Sequence, residues 1–138
     1  MDVDQPHIKL VEHPHRRLKT HASERTVPLV GVSLWAAKRI KNNSSSKFCF
    51  SRYCSIDNCN SNSASAAINK WIKTIVGSEA VVHGLRHGFR DRLRAVEAPV
   101  DMIDQLGGWS LRSVGQGYGD GYPLDLLYRW MQKIVLKL

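Results

Sequence analysis

The chain has 138 residues, 43% of them hydrophobic, and its 20 Lys and Arg against 12 Asp and Glu give a formal net charge of +8 and a pI of about 9.7. That length fits one domain with an ordinary core, and the positive balance suits a polyanionic partner, because each phosphate contact releases counterions. No apolar run approaches the roughly 18 residues of a membrane span, and the start, Met1-Asp2-Val3-Asp4, carries acids where a secretory signal has an apolar stretch. No membrane partner is expected, and the expected compartment is the cytoplasm with thiols reduced. Cys49, Cys54 and Cys59 recur every five residues. An odd number argues against a closed disulfide set, and zinc would want a fourth ligand and tighter spacing. Free thiols and no metal site are expected.

In chain order, Ile8, Leu10 and Val11 form a first short extended piece, and Thr26-Val27-Pro28-Leu29-Val30 a second, β-branched and apolar. Between them lies a polar, basic connection that contains Lys19, and Pro28 suits a sheet edge. Residues 33–40 read as a helix with Leu34, Ala37 and Ile40 on one side, ended by Asn42-Asn43-Ser44-Ser45-Ser46. Residues 51–63 read as a loop. A helix is predicted from residue 63 or 65 to about 76, with Ala67, Ile68, Trp71, Ile72 and Ile75 as its apolar stripe and Gly77 as its stop.

A stronger helix is predicted over residues 83–96. Leu85, Phe89 and Leu93 recur at four-residue steps and should face the core, while Arg86, Arg90 and Arg94 follow the same rhythm about 100° round. A short helix after Pro99 turns Met102, Ile103 and Leu106 inward and ends at Gly107-Gly108. Ser110 is a candidate N-cap for another short helix. Gly115, Gly117, Gly119 and Gly121 loosen the backbone around Tyr118. Pro123 opens a last helix to about residue 136, with Leu126, Leu127, Trp130, Ile134 and Val135 apolar. The architecture is mainly helical, with a small β element at the start and no internal repeat.

The chemistry concentrates in His83-Gly84-Leu85-Arg86-His87, Leu106-Gly107-Gly108-Trp109 and Tyr118. His83 and Arg86, three apart, share a helix face. An indole donor follows 23 residues after Arg86 and a phenol nine residues after that. Attack on a phosphodiester by a protein hydroxyl needs a positioned nucleophile, donors to the non-bridging oxygens and an acid for the leaving oxygen. No phosphate-binding G-x-x-x-x-G-K-[ST] loop, no H-E-x-x-H and no acidic cluster suited to two metals is present, which leaves nucleotide hydrolysis and metal-dependent nucleases without support.

This order and spacing resembles the C-terminal catalytic domain of tyrosine recombinases, the phage integrase family, over roughly residues 19–128. The resemblance implies an integrase-like DNA breaking-rejoining fold, mainly α with a small N-terminal β-hairpin. It implies DNA recombination and DNA integration at specific sites on double-stranded DNA. Tyr118 would attack the scissile phosphate to give a 3′-phosphotyrosyl link, so that bond energy is retained and no cofactor is needed. Arg86 would clamp two non-bridging oxygens. His83 would donate to the same phosphate or manage the nucleophile's proton, and Trp109 would donate its indole N–H where the family has histidine or tryptophan. Lys19, in a Lys-Thr followed by Ser-x-Arg-x-x-Pro-Leu (Arg25, Pro28, Leu29), would protonate the leaving 5′-oxygen. His87, Arg90 and Arg94 would join Arg86 as DNA contacts. The implied setting is a mobile genetic element, bacterial or phage-derived and nucleoid-associated, with no small-molecule substrate. The family also implies a homo-oligomer on DNA, in which the last helix either packs on a neighbouring protomer or closes its own core. Type IB topoisomerases share the tyrosine chemistry, but the Leu-Gly-Gly-Trp to Tyr spacing resembles integrases.

Taken singly, each of these residues has a structural alternative. Tyr118 would be a half-buried aromatic, Arg86 a surface helix arginine, Trp109 a core indole and Lys19 a solvated hairpin lysine; Tyr122 and Tyr128 are rival phenols. One departure bears on activity. The family carries another catalytic arginine ahead of the β element, and nothing in residues 1–18 fits it, since Arg16 and Arg17 sit in the hairpin region itself. Loss of one such donor costs about 2.7–4 kcal/mol. The expectation is a single partial catalytic domain, without that region or the family's N-terminal DNA-clamping domain, that does not recombine DNA alone. The alternatives are a non-catalytic DNA-binding remnant of an integrase and a small helical interaction domain with a solvated basic face.

Overall fold

The computed structural model describes residues 5–14, 17–18, 23–109 and 121–136. Two short strands, β1 (His7–Leu10) and β2 (Arg25–Pro28), precede five helices: α1 (Gly31–Asn43), α2 (Ser61–Ile75), α3 (Val82–Ala95), α4 (Val100–Gly107) and α5 (Leu124–Lys133). The strands pair antiparallel, in a register that runs from His7 opposite Pro28 to Leu10 opposite Arg25. Pro28 has no N–H to give the ladder; the next residue continues it, with the Leu29 N–H donating to the Pro6 carbonyl at 2.8 Å. The fold class is the one expected, mainly α with a small N-terminal sheet. None of the helices is long and apolar enough to cross a membrane among the described residues.

Burial separates the elements into a centre and a periphery. Val30, Leu93, Ala98, Met102, Ile103, Leu106, Leu127 and Met131 form the core, with Phe89, Trp109, Leu126 and Trp130 among the side chains packed around it. The core is therefore built by the end of β2, α3, α4 and α5. Its apolar residues recur at three- and four-residue steps on α4 and α5, as a helix burying one face requires. Leu127 and Met131 are buried against this core, so α5 closes its own domain. That helix is shorter than predicted, stopping at Lys133.

The helices α1 and α2 bury no residue fully. The stripe expected to pack on α2 faces solvent instead: Trp71 is 62% exposed and Ile68 and Ile75 are also exposed. The expectation for α3 is corrected in part. Leu93 is completely buried and Phe89 packs on the core, but Leu85 is 68% exposed. The reason is geometric: the core cluster takes in Leu93 and Phe89 in the C-terminal half of α3, and the stripe runs on past it.

Local devices set the ends of these helices. The Asn60 side chain caps α2 by accepting from the Ser63 N–H at 3.0 Å. Asn69, on α2, accepts the Val82 N–H at 2.8 Å and so satisfies an orphan donor at the start of α3. Glu97 adopts the left-handed conformation (φ 59°) that ends α3, at a cost of about 1–2 kcal/mol for a residue with a Cβ. The stretch read as a loop contains hydrogen-bonded turns and an isolated antiparallel bridge between Cys54 and Cys59. The three cysteines are free thiols, and the Cys59 hydrogen bond raises the Cys54 thiol above its ordinary value.

Leu93→Ala is expected to cost about 2–5 kcal/mol, as for a core leucine, while Leu85→Ala stays within about 0.5 kcal/mol. Urea unfolding midpoints of the two variants, compared at equal slope, check this assignment.

Candidate functional site

The candidate site grows from one face of α3. His83 and His87 lie one turn apart with ring centroids at 5.3 Å and planes at 74°, an edge-on contact that helical spacing alone brings about. Both are exposed, and Arg86 between them is half-buried. The Arg86 guanidinium carbon lies 4.4 Å from the centroid of the Trp109 ring, and that of Arg90 lies 4.6 Å from it. Two guanidinium groups thus share one indole, each contact worth about 0.5–2 kcal/mol according to how dry it is.

Two like charges on one ring need an opposing charge, and Asp104 of α4 supplies it. Its carboxylate is buried, at 1% exposure, and Oδ1 lies 3.2 Å from Nη2 of Arg90. Among the described residues Oδ1 receives no hydrogen bond, so charge rather than a directed bond holds the pair. A buried carboxylate is costly unless paired. Asp104 therefore fixes Arg90, and Arg90 helps fix the indole on which Arg86 rests. Arg94 differs: its contact to Asp91, at 3.8 Å with both groups exposed, adds little. Arg94 remains a surface cation.

The backbone around Trp109 explains the glycine pair. Gly108 takes a left-handed conformation (φ 62°) that ends α4, and the Trp109 N–H returns to the Asp104 carbonyl at 3.0 Å. The indole folds back over Gly107, where any Cβ would collide with the six-membered ring. From the other side, Arg25 of β2 donates through Nε to the Leu106 carbonyl at 3.0 Å and through Nη1 to the Ser23 carbonyl at 2.8 Å. The hairpin strand is thereby bonded directly to the turn that carries Trp109.

The structure brings five of the predicted site residues together: His83, Arg86, His87, Arg90 and Trp109. Lys19 and Tyr118 lie outside the described residues, as does the short helix predicted after Ser110. Both flanks of the segment that carries Tyr118 are held by α4: Trp109 as above, and Tyr122 through Gln105. There the Tyr122 N–H donates to Oε1 at 2.8 Å and Nε2 donates to the Tyr122 carbonyl at 3.0 Å. The Tyr122 hydroxyl donates to Asp101 Oδ2 at 2.9 Å. Burial and that carboxylate raise the phenol above its ordinary value of 10.0, which favours the protonated form. This rival of Tyr118 is thus engaged structurally, and Tyr128 is half-buried on α5.

Sequence reading missed Asp104, Arg25 and Gln105. Asp104 carried a signal, since an acid between the inward-facing Ile103 and Leu106, facing an arginine-rich helix, asks for a buried partner. Arg25 and Gln105 carried none, because the contacts that tie them to the site, to the Leu106 carbonyl and to the Tyr122 backbone, join groups distant in sequence.

Among the described residues no three His, Cys, Asp or Glu side chains cluster as metal ligands would. The donors present, a guanidinium, an indole N–H and imidazoles, are those that receive an oxyanion. The family model described as "Phage integrase family" matches residues 1–122 of the chain. No curated protein and no solved structure matches it.

Two predictions follow from these contacts. Removing the cation strands a buried carboxylate, so Arg90→Gln should destabilise by about 3–5 kcal/mol. Asp104→Asn should cost less, because Arg90 is 19% exposed at its side chain and can turn to water; chemical denaturation of both variants and of the double variant gives the coupling. For Tyr122, a raised phenol pKa means that its hydrogen bond contributes below pH 10 and is lost as pH rises through the folded value. Tyr122→Phe should lower stability by about 1 kcal/mol at pH 8, with the deficit closing above pH 10 in a pH series of thermal melts.

Proposed function

The chain belongs to the phage integrase family, whose members carry out site-specific DNA recombination, and from that premise we propose that it is a DNA strand transferase whose chemistry is centred on Arg86, Trp109 and Tyr118. The observation that carries this reading is the stacking of Arg86 on Trp109 at 4.4 Å, with His83 one turn away. Residues separated by 23 positions in sequence converge as donors suited to one phosphate.

In the proposed reaction the Tyr118 oxygen attacks the scissile phosphorus, the bond to the 5′-oxygen breaks, and the enzyme holds the 3′ end as a phosphotyrosine. The phenolic proton passes to a nearby base, for which His83 is the candidate, and Lys19 protonates the departing 5′-oxygen. Arg86 spans two non-bridging oxygens while the Trp109 N–H donates to one. The returning 5′-hydroxyl of a partner strand reverses these steps, so no cofactor takes part. His87 and Arg94 are proposed to meet flanking phosphates. Arg90, paired with Asp104, braces the indole from within. The proposal includes action on double-stranded DNA by more than one copy, in the cytoplasm.

A second reading is that the chain binds DNA through the α3 face without cutting it, a role that the half-buried Arg86 and the exposed Arg94 would serve equally.

Nicked suicide substrates run on denaturing gels decide between the two. The expected result is a covalent protein–DNA adduct that Tyr118→Phe abolishes and Tyr122→Phe retains. Arg86→Ala should slow it about 10²–10³-fold, as for loss of one oxyanion donor. Salt-sensitive DNA binding without adduct would leave the non-catalytic reading in its place, and no DNA binding at all would sink both.

A further inference from the structure

A second concentration of positive charge lies on and after α1, a different element from α3. Residues 38–56 contain Lys38, Arg39, Lys41, Lys47 and Arg52 and no Asp or Glu, so this stretch supplies +5 of the chain's formal +8. All five side chains are exposed, and none is paired with a carboxylate among the described residues. The last turn of α1 welcomes one or two cations, which offset its carbonyl end. Five exceed that need, and unpaired like charges repel one another unless a polyanion is the intended neighbour.

The local fold gathers these charges. Arg39 lies over the Trp35 ring at 5.6 Å, and that indole is itself 61% exposed, so it orders the guanidinium at the surface. Arg39, Ile40, Asn43, Ser44 and Cys49 line one open groove, which brings the segment after α1 back alongside its C-terminal turn. That segment is held by its own bonds, the Ser44 hydroxyl donating to the Ser46 carbonyl at 2.8 Å and the Phe48 N–H to the Ser46 hydroxyl at 3.1 Å. Between Lys41 and Lys47 every residue is Asn or Ser. Neutral amide and hydroxyl donors interleaved with cations are the side chains that meet a nucleic-acid backbone.

We infer that the C-terminal half of α1 and the turn after it form a second DNA-backbone contact surface, separate from the Arg86 site and reading phosphates rather than bases. It adds non-specific affinity and orientation, and it rests on the strand-transfer reading only in taking DNA as the polyanion. Each phosphate neutralised contributes about 0.9 to the slope of log affinity against log salt concentration on duplex DNA.

The test uses the whole chain and a random-sequence 30-base-pair duplex, with affinity measured across a salt series by fluorescence anisotropy. The triple variant Lys38→Gln, Lys41→Gln, Lys47→Gln should reduce the slope by about 2–3. A control with the same charge loss from other exposed sites, Lys9→Gln, Lys70→Gln, Lys73→Gln, should reduce it by less than about 1. All six lysines are exposed, and circular dichroism checks that both variants fold. Equal reductions in the two variants would mean that only overall charge matters and would overturn the surface. So would an unchanged slope in the first variant, wild-type binding to phosphatidylserine vesicles but not to the duplex, or no DNA binding at all. Covalent adduct formation tells the two proposals apart. An adduct with unchanged slope rejects this surface alone, and a missing adduct with the expected slope difference rejects the strand-transfer chemistry alone.

Discussion

The ion pair between Asp104 and Arg90 organises the centre of this molecule. A carboxylate taken out of water must find a cation nearby, and the cation it finds is on the helix that carries the candidate phosphate clamp. The pairing fixes the spacing of α3 and α4 at the point where Leu93, Met102, Ile103 and Leu106 interdigitate. It also keeps Arg90 against the Trp109 ring, so that the indole meets Arg86 in a constrained position rather than as a free surface aromatic. Stability and site geometry therefore share one contact. Hydrophobic packing sets how near the helices come, and the buried charge sets which side chains face each other.

The turn at Gly107-Gly108 is the second constraint. An indole folded back over a helix end needs a residue beneath it with no side chain, and the left-handed conformation that follows suits glycine. Arg25 then bonds the β element to this turn. The strand pair is small, β1 largely exposed and β2 half-buried, and through Arg25 it meets the functional centre. On the far flank, Gln105 and Asp101 hold Tyr122. One short helix, α4, thus supports the site from several directions, which is why it holds five of the buried residues within eight positions.

Outside this centre the chain is more open. No residue of α1 or α2 is fully buried, and their surfaces differ: α2 presents Ile68, Trp71 and Ile75, while the end of α1 presents cations. Charge is not spread evenly over the surface. One concentration lies on α3, where Asp91 and Asp104 temper the arginines, and another in residues 38–56, which contain no acid. A long polyanion can engage separated patches of this kind at once.

The sequence by itself determined the elements and the identities of five site residues that the structure gathers. Periodicity located α3, α4 and α5, because helices that bury one face write that face into the chain at three- and four-residue steps. Gly107-Gly108 marked the end of α4 because few residues tolerate that conformation. The motif from His83 to Trp109 was legible because family spacing is a property of sequence. Tertiary structure alone decided which apolar positions are covered. Leu85 and Leu93 share one stripe, but only Leu93 lies under α4 and α5, and Met131 reaches the core while Trp71 does not. It also decided that Arg90 turns inward to Asp104 while Arg94 stays outside, although both follow Arg86 in the same rhythm. A repeat along one helix fixes direction around an axis. What occupies the space in that direction belongs to other parts of the chain, and no local pattern encodes it.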